Sequence, residues 1–345
     1  VSHRRLRGFR PKRTDAMTAQ LRSAPSAQKT ETRLRAVLFG CGVVNSGVLE
    51  TARMLPRPPA IEAVVTRRGR TALPDGVIGL TEIGAGFDIG PDLVVEALPD
   101  CADAERVLAR AVESRTHVVS ANKAVLARRP DLEKRAREQG TLFAYSAAVG
   151  GGVPVLETLA RLRQARCEIE RVEGVVNGTT NFVIDAVIDG ASIPEAIRLA
   201  QAAGFAEADP TADLDGHDAA AKLSLIARAA FDLSLDPLDV EQDAFDTLDE
   251  TLIRRAAECG LRYRQIARLE GDQDAVRAEV RLLAVAETSP LARPRREENV
   301  FEITCKGGLN LSLHGKGAGR EPTASAVLAD IAGLIETLDR QGAPS

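Results

Sequence analysis

Between Gly204 and Lys222 the chain gathers Glu207, Asp209, Asp213, Asp215, Asp218 and Lys222. Asp218 and Lys222 are four residues apart, so on a helix they share one face. Ala219 to Ala230 is rich in strong helix formers and holds neither Gly nor Pro, which predicts a helix there. Its only charges between Asp218 and Phe231 are Lys222 and Arg228, and a helix that is apolar all round is a buried one. A carboxylate and an ammonium held together at the start of a buried helix are suited to binding a charged substrate or to handling a proton. The plainer reading is an ordinary ion pair, and the spacing alone leaves both open. Lysine usage adds to the first. The chain has seven lysines, among them Lys123 and Lys222, within a Lys+Arg total of 45. A compact, titratable ammonium in an arginine-rich chain suggests a position where Arg would not serve.

Other elements must place that pair. Ala36 to Phe39 reads as a strand buried on both faces, followed by a Gly-rich turn and a helix. Gly40 and Gly42 allow a tight turn and a close backbone approach to a pyrophosphate lying at the helix N-terminus. Val43 and Val44 open that helix, so Gly40, Gly42, Val43 and Val44 are candidate cofactor contacts. Asn45 stands at the third Gly of the fingerprint. A second strand, Ile61 to Val65, ends in Thr66-Arg67-Arg68 with no carboxylate to hold ribose hydroxyls. Arg67 and Arg68 are placed to meet a 2′-phosphate, which favours NADP with NAD usable; solvated loop arginines are the alternative. Further strands are expected at Leu93 to Ala97, His117 to Ser120 and Thr141 to Tyr145. Helices are expected at about Ala102 to Arg115 and after the SANKAVLA turn, ending near Gly140. This alternation means a parallel, doubly wound sheet.

The pattern changes at Gly150-Gly151-Gly152. ARCEIERVEG reads as an edge-like alternating strand, Asn177-Gly178 as a turn, and a helix follows from Thr180. Ser192-Ile193-Pro194-Glu195 is a capping box with an early Pro. Beyond Leu261 the alternation suggests antiparallel strands. The fold class is therefore α/β, a doubly wound Rossmann-type domain over 34–150, joined to an α+β domain over 151–317. Residues 1–33 are Arg-, Ser- and Ala-rich without apolar period, the pattern of a disordered leader. The whole chain has 345 residues, 44% hydrophobic and 27% charged, with net charge −4. That balance argues against general nucleic-acid binding, and no apolar run is long enough to span a bilayer. The five cysteines are scattered without zinc or disulfide spacing, which fits the cytoplasm. His117, His217 and His314 show no ligand spacing either.

Taken in order, the blocks GCGVVNSGV (from Gly40), SANKAVLA (Ser120), YSAAVGGGVP (Tyr145), GVVNGTTNF (Gly174), GFAEADPTADLDGHDAAAKL (Gly204) and GKGAGREPTASAV (Gly315) resemble homoserine dehydrogenase, from about Leu34 to the C-terminus. The resemblance implies NAD(P)-dependent interconversion of L-aspartate 4-semialdehyde and L-homoserine, within threonine, methionine and isoleucine biosynthesis. It implies a nucleotide domain completed by the C-terminal helix, 318–341, and a middle domain that binds substrate and forms a homodimer or a dimer-based oligomer. By the same resemblance Lys222 is the proton donor, Asp218 holds substrate beside it, Glu207 binds the substrate amino group and Asp213 positions the network. Lys123 lies at the nicotinamide and substrate. Ser120, Gly204 and Gly317 approach the cofactor. Backbone carbonyls of Val149, Gly151 and Val153 are candidate ligands for a monovalent cation such as Na+, with Ser146 where many members carry a Glu. The readings that compete are a related Rossmann oxidoreductase on another amino-acid aldehyde or alcohol, and a non-catalytic nucleotide sensor.

Overall fold

Ala36, Val37, Leu38 and Phe39 have no exposed surface, as a strand covered on both faces requires. The computed structural model describes residues 33–342 apart from 69–71, 100 and 273. Apart from Arg33, the expected leader lies outside the described residues. The elements run β1 (Arg35–Phe39), α1 (Val43–Thr51), β2 (Ala60–Val65), β3 (Ile78–Leu80), α2 (Ile83–Asp88), β4 (Leu93–Glu96), α3 (Cys101–Glu113), β5 (His117–Ser120), α4 (Lys123–Arg128), α5 (Pro130–Glu138), β6 (Phe143–Ala144), α6 (Val155–Gln164), β7 (Ile169–Val175), α7 (Gly178–Ile188), α8 (Ile193–Ala202), α9 (Thr211–Leu214), α10 (His217–Phe231), β8 (Glu241–Gln242), α11 (Glu250–Glu258), β9 (Leu261–Gly271), β10 (Val276–Ala286), β11 (Glu298–Cys305), β12 (Asn310–Lys316) and α12 (Arg320–Gly342). Among the described residues no helix is long and apolar enough to cross a membrane.

The first sheet is six-stranded and parallel throughout, in the order β3-β2-β1-β4-β5-β6. Chain order reverses between β1 and β4, and in such sheets the ligand crevice lies outside the strand ends at that point. Gly40 sits there with φ +86°, and a Cβ would lie 2.5 Å from the Ala97 carbonyl oxygen, so only glycine fits. Asn45 is fully buried, and its Nδ2 donates to the carbonyls of Phe39, Gly40 and Val95 at 3.1, 3.0 and 3.3 Å. The residue that breaks the glycine fingerprint thus ties α1 to the ends of both central strands. One face of the sheet, with Leu38, Val64, Val95 and Val119, packs against Val48 of α1 and Val327, Ile331 and Leu334 of α12. The last helix therefore returns to the first sheet.

The second sheet runs β12-β11-β7-β9-β10-β8, antiparallel except for β10 with β8. Two expectations need correction. The strand read as edge-like is β7, and it lies inside the sheet between β11 and β9. Glu170 still meets water, but Glu173 faces the next strand and receives Arg268 at 2.8 Å. The SANKAVLA stretch, read as a turn, is itself helical from Lys123 in α4, and the helix expected after it is α5. Arg129 leaves the helical region at φ −123°, ψ 60°, because the ring of Pro130 disfavours α geometry in the residue before it. The Ser192 cap holds: its side chain accepts the Glu195 N–H at 3.4 Å.

Glu96 closes β4 without exposed surface. It accepts the Ser120 hydroxyl at 2.6 Å and the Leu98 N–H at 2.7 Å, so it fixes the loops leaving β4 and β5. Burial pushes its carboxyl above the ordinary value, against the hydrogen bonds from Ser120, Leu98 and Asn122. A carboxyl raised in the folded state ionises first in the unfolded chain, so stability falls as pH rises from the unfolded value through the folded one. Glu96→Gln should remove this slope and gain on the wild type as pH rises. Urea midpoints for both proteins at about pH 5 and about pH 8 check it; a constant difference between them would contradict it.

Candidate active site

The sequence places Asp218 in the first turn of α10, after Gly216 in the left-handed conformation at the cap. A carboxylate there is favoured by the helix dipole. Asp218 is nearly buried and is gripped from two sides: Oδ2 lies 2.7 Å from Lys222 Nζ, and Oδ1 lies 2.7 Å from Lys123 Nζ. Lys222 is 8% exposed and also donates to the Val176 carbonyl. Burial opposes the charge on Asp218, but the ammonium groups of Lys222 and then Lys123 outweigh it and hold the carboxyl well below the usual range. The Asp218 charge in turn raises Lys123 above its ordinary value, against the cost of burial.

Asn177 and Thr179 complete this network, and both were missed as site residues because NGTT reads as turn and helix start. Asn177 caps α7, its Oδ1 accepting the Thr180 N–H at 3.0 Å. Its Nδ2 donates to Asp213 at 2.8 Å and to Asp218 at 3.2 Å. The Thr179 hydroxyl lies 2.8 Å from Asp213 and 2.6 Å from the Phe205 carbonyl. A capping Asn spends only its Oδ1 on the helix, which leaves its Nδ2 to donate elsewhere.

The network opens onto a cleft of about 900 Å³. Of the residues expected from sequence, the cleft brings together Val44, Lys123, Gly204, Glu207, Asp213, Asp218, Lys222, Gly317 and Gly151. Glu207 is exposed there. The cleft also takes in Glu297, Asn299 and Thr323. Gly151, at φ +56°, packs so closely on the other wall that a Cβ would meet the Gly317 carbonyl oxygen at 2.5 Å. A Cβ on Gly317 would strike the Asn299 side chain at 2.0 Å.

Other expected residues lie elsewhere. Ser120 has no exposed surface; it gives its hydroxyl to Glu96 at 2.6 Å and accepts the Asn122 N–H at 3.1 Å, which shapes the turn. Val43 is 63% exposed and is absent from the cleft lining. Arg67 lines a neighbouring pocket of about 490 Å³ with Phe39, Thr66 and Leu98 at the ends of the central strands. It pairs there with Asp103 at 2.8 Å, and Arg106 engages the same carboxylate. Arg68 is exposed. Val149 and Val153 are buried in the loop before α6. Ser146 turns its hydroxyl and N–H to Asp330 at 2.7 and 2.9 Å, and burial pushes that carboxyl up to about 7.

This chain fits a dinucleotide. The first turn of α1 has no side-chain cap, which leaves N–H groups for a pyrophosphate. Gly40 leaves the close approach open, and the Thr66 hydroxyl in the neighbouring pocket is buried without a partner. A doubly wound sheet with an open crevice at its switch point, running into a cleft that ends on a lysine, defines a dinucleotide-dependent oxidoreductase. The sequence model of the homoserine dehydrogenase family matches residues 154–332. Homoserine dehydrogenase of Synechocystis sp. is 31% identical over 316 residues, 86% of this chain and 72% of that protein. An NAD(+)-dependent homoserine dehydrogenase of Pseudomonas canavaninivorans is 32% identical over 310 residues, 88% of this chain and 86% of that protein. The crystal structure of a homoserine dehydrogenase from Thiobacillus denitrificans superposes with a TM-score of 0.82 at 27% identity, covering 90% of this chain and 76% of that one. The chain belongs to the homoserine dehydrogenase family. Its activity is that of an NAD(P)-dependent oxidoreductase on homoserine, in the aspartate-derived route to threonine, methionine and isoleucine.

Asn177 separates cap from network. Asn177→Ala should cost about 1 kcal/mol for the lost cap and depress turnover as well. Asn177→Ser keeps a capping oxygen but cannot reach both carboxylates, so it should recover the stability and leave turnover low. Thermal unfolding and steady-state rates on both variants check this; recovery of both properties by Ser would show that Asn177 acts only as a cap.

Proposed function

We propose that Lys222 is the acid–base residue of this chain and that Lys123, Asp218, Asp213 and Glu207 hold the amino-acid substrate around it. The observation that carries this is Asp218 held between two lysines on the wall of the cleft. The nicotinamide cofactor supplies or accepts a hydride. Reduction of an aldehyde builds negative charge on its oxygen, and a lysine ammonium both stabilises that charge and delivers the proton. Asp218 keeps Lys222 oriented and Lys123 at hand. Glu207 stands exposed in the cleft and suits the substrate ammonium through a charge-assisted hydrogen bond. Lys222→Ala should lower kcat by about 10²- to 10⁴-fold with cofactor affinity retained, and Lys222→Arg should be poor because Arg does not give up its proton. Homoserine-dependent reduction of NADP⁺ or NAD⁺, followed by absorbance, measures it; near-normal turnover of the Ala variant would reduce the pair to an ion pair.

In this reading residues 34–150 with 318–341 bind the cofactor, and 151–317 bind substrate and dimerise in the cytoplasm. The carbonyls of Val149, Gly151 and Val153 are hard oxygen donors that suit a monovalent cation. The preferred cofactor is NADP, with Arg67 and Arg68 meeting the 2′-phosphate. Support for this comes from the strand end: the nearest acid on β2, Glu62, is paired with Arg35 at 2.9 Å, leaving no carboxylate on that strand for the ribose. The preference should shrink as ionic strength rises, because an exposed phosphate contact is screened. Comparing kcat/KM for NADP and NAD in wild type, Arg67→Ala and Arg68→Ala tests the assignment. Equal values in wild type, or an unchanged ratio in both variants, would overturn it without touching the reaction.

A further inference from the structure

The reacting groups sit on two helices from different parts of the fold: Lys222 and Asp218 on α10, Lys123 at the start of α4. The Lys123–Asp218 pair holds the first turn of α4 against α10. A second contact holds the other end. Arg228, six residues beyond Lys222 on α10, is 9% exposed. Its Nη2 donates to the Leu126 carbonyl in the last turn of α4 at 3.0 Å. Its Nη1 donates to Glu133 of α5 at 3.1 Å. The Tyr145 hydroxyl donates to the same Glu133 oxygen at 2.9 Å, and the guanidinium lies 5.9 Å from the Tyr145 ring centroid.

We propose that Arg228 is a positioning residue, a clamp that fixes α4 on α10 and so sets the Lys123–Asp218–Lys222 geometry. Three features support it. A guanidinium in a buried place is costly unless paired, yet this one serves carbonyl, carboxylate and ring at once. Its contacts all lie on elements that follow the first sheet's strands, while Arg228 itself rides on the helix that carries the substrate-facing lysine. And α4 has only six residues, so attachments at both ends leave it no freedom to tilt. The planar fork of Arg reaches both acceptors; a lysine ammonium on a single stem does not replace it.

The inference rests on the reading of Lys123, Asp218 and Lys222 as the reaction centre, and the test keeps the two apart. Arg228→Lys is made in the wild-type protein and in a Lys123→Met background, with kcat for homoserine oxidation and the NADPH dissociation constant measured for each. A residue that acts through Lys123 gives a non-additive cycle. The expected result is a fall in kcat of about 10-fold or more in the wild-type background, little further fall in the Lys123→Met background, and, for Arg228→Lys in the wild-type background, an NADPH dissociation constant within about two-fold of wild type. Equal loss in both backgrounds, or no loss in the first, overturns the clamp. If Arg228→Lys does not fold, Glu133→Gln removes the charged partner and runs the same cycle with the same criteria. Lys222→Ala in the same assay reports separately on the reaction centre: full turnover there defeats that reading, whereas a dead Lys222→Ala with an additive Arg228 cycle defeats only the clamp.

Discussion

The interaction on which the rest depends is a single buried carboxylate with an ammonium on each oxygen. Asp218 would be costly as a lone buried charge, and so would Lys222, which is 8% exposed; Lys123, 40% exposed on its side chain, brings the second cation. The Lys123 pair joins α4 to α10, and the Lys222 pair lies within α10. Arg fills most cationic positions in this chain, yet here the group is Lys twice. A compact ammonium on a flexible stem can point into a narrow cleft and exchange a proton, which a guanidinium cannot do at ordinary pH.

Around that carboxylate the cleft is walled by backbone. The loop at Gly151 and the strand end at Gly317 approach so closely that neither position has room for a side chain. α12 returns from this loop to cover the first sheet beside α1, so the crevice at the switch point and the lysine-bearing cleft are built from the same stretch of chain. Asn177 links the two carboxylates Asp213 and Asp218 while capping α7, which couples the orientation of the network to the stability of a helix.

Buried carboxyls recur where strands end. Glu96 organises the turns after β4 and β5, and Asp330 reaches from α12 to Ser146. Both are raised by burial, unlike Asp218, which has cations of its own. The difference is one of partners: hydrogen bonds from hydroxyl and N–H groups only partly offset desolvation, whereas two positive charges outweigh it. The carboxyl kept ionised is thus the one facing the cleft, and those that hold loops are easier to protonate.

Legible in the residues alone are the alternation of strands and helices in the first half, the buried strand at Ala36 to Phe39, the helix cap at Ser192 and the pair at Asp218 and Lys222. These follow from local periodicity and from groups within a turn of each other. Packing between distant elements set the rest. It put Lys123 on Asp218 across 95 residues, set β7 inside its sheet, tied the Ser120 hydroxyl to Glu96, and engaged Arg67 with Asp103 beside the crevice. Such facts depend on which distant strands and helices become neighbours. An alternating polar face reads the same whether it meets water or an arginine on the next strand, and only the packed sheet distinguishes the two.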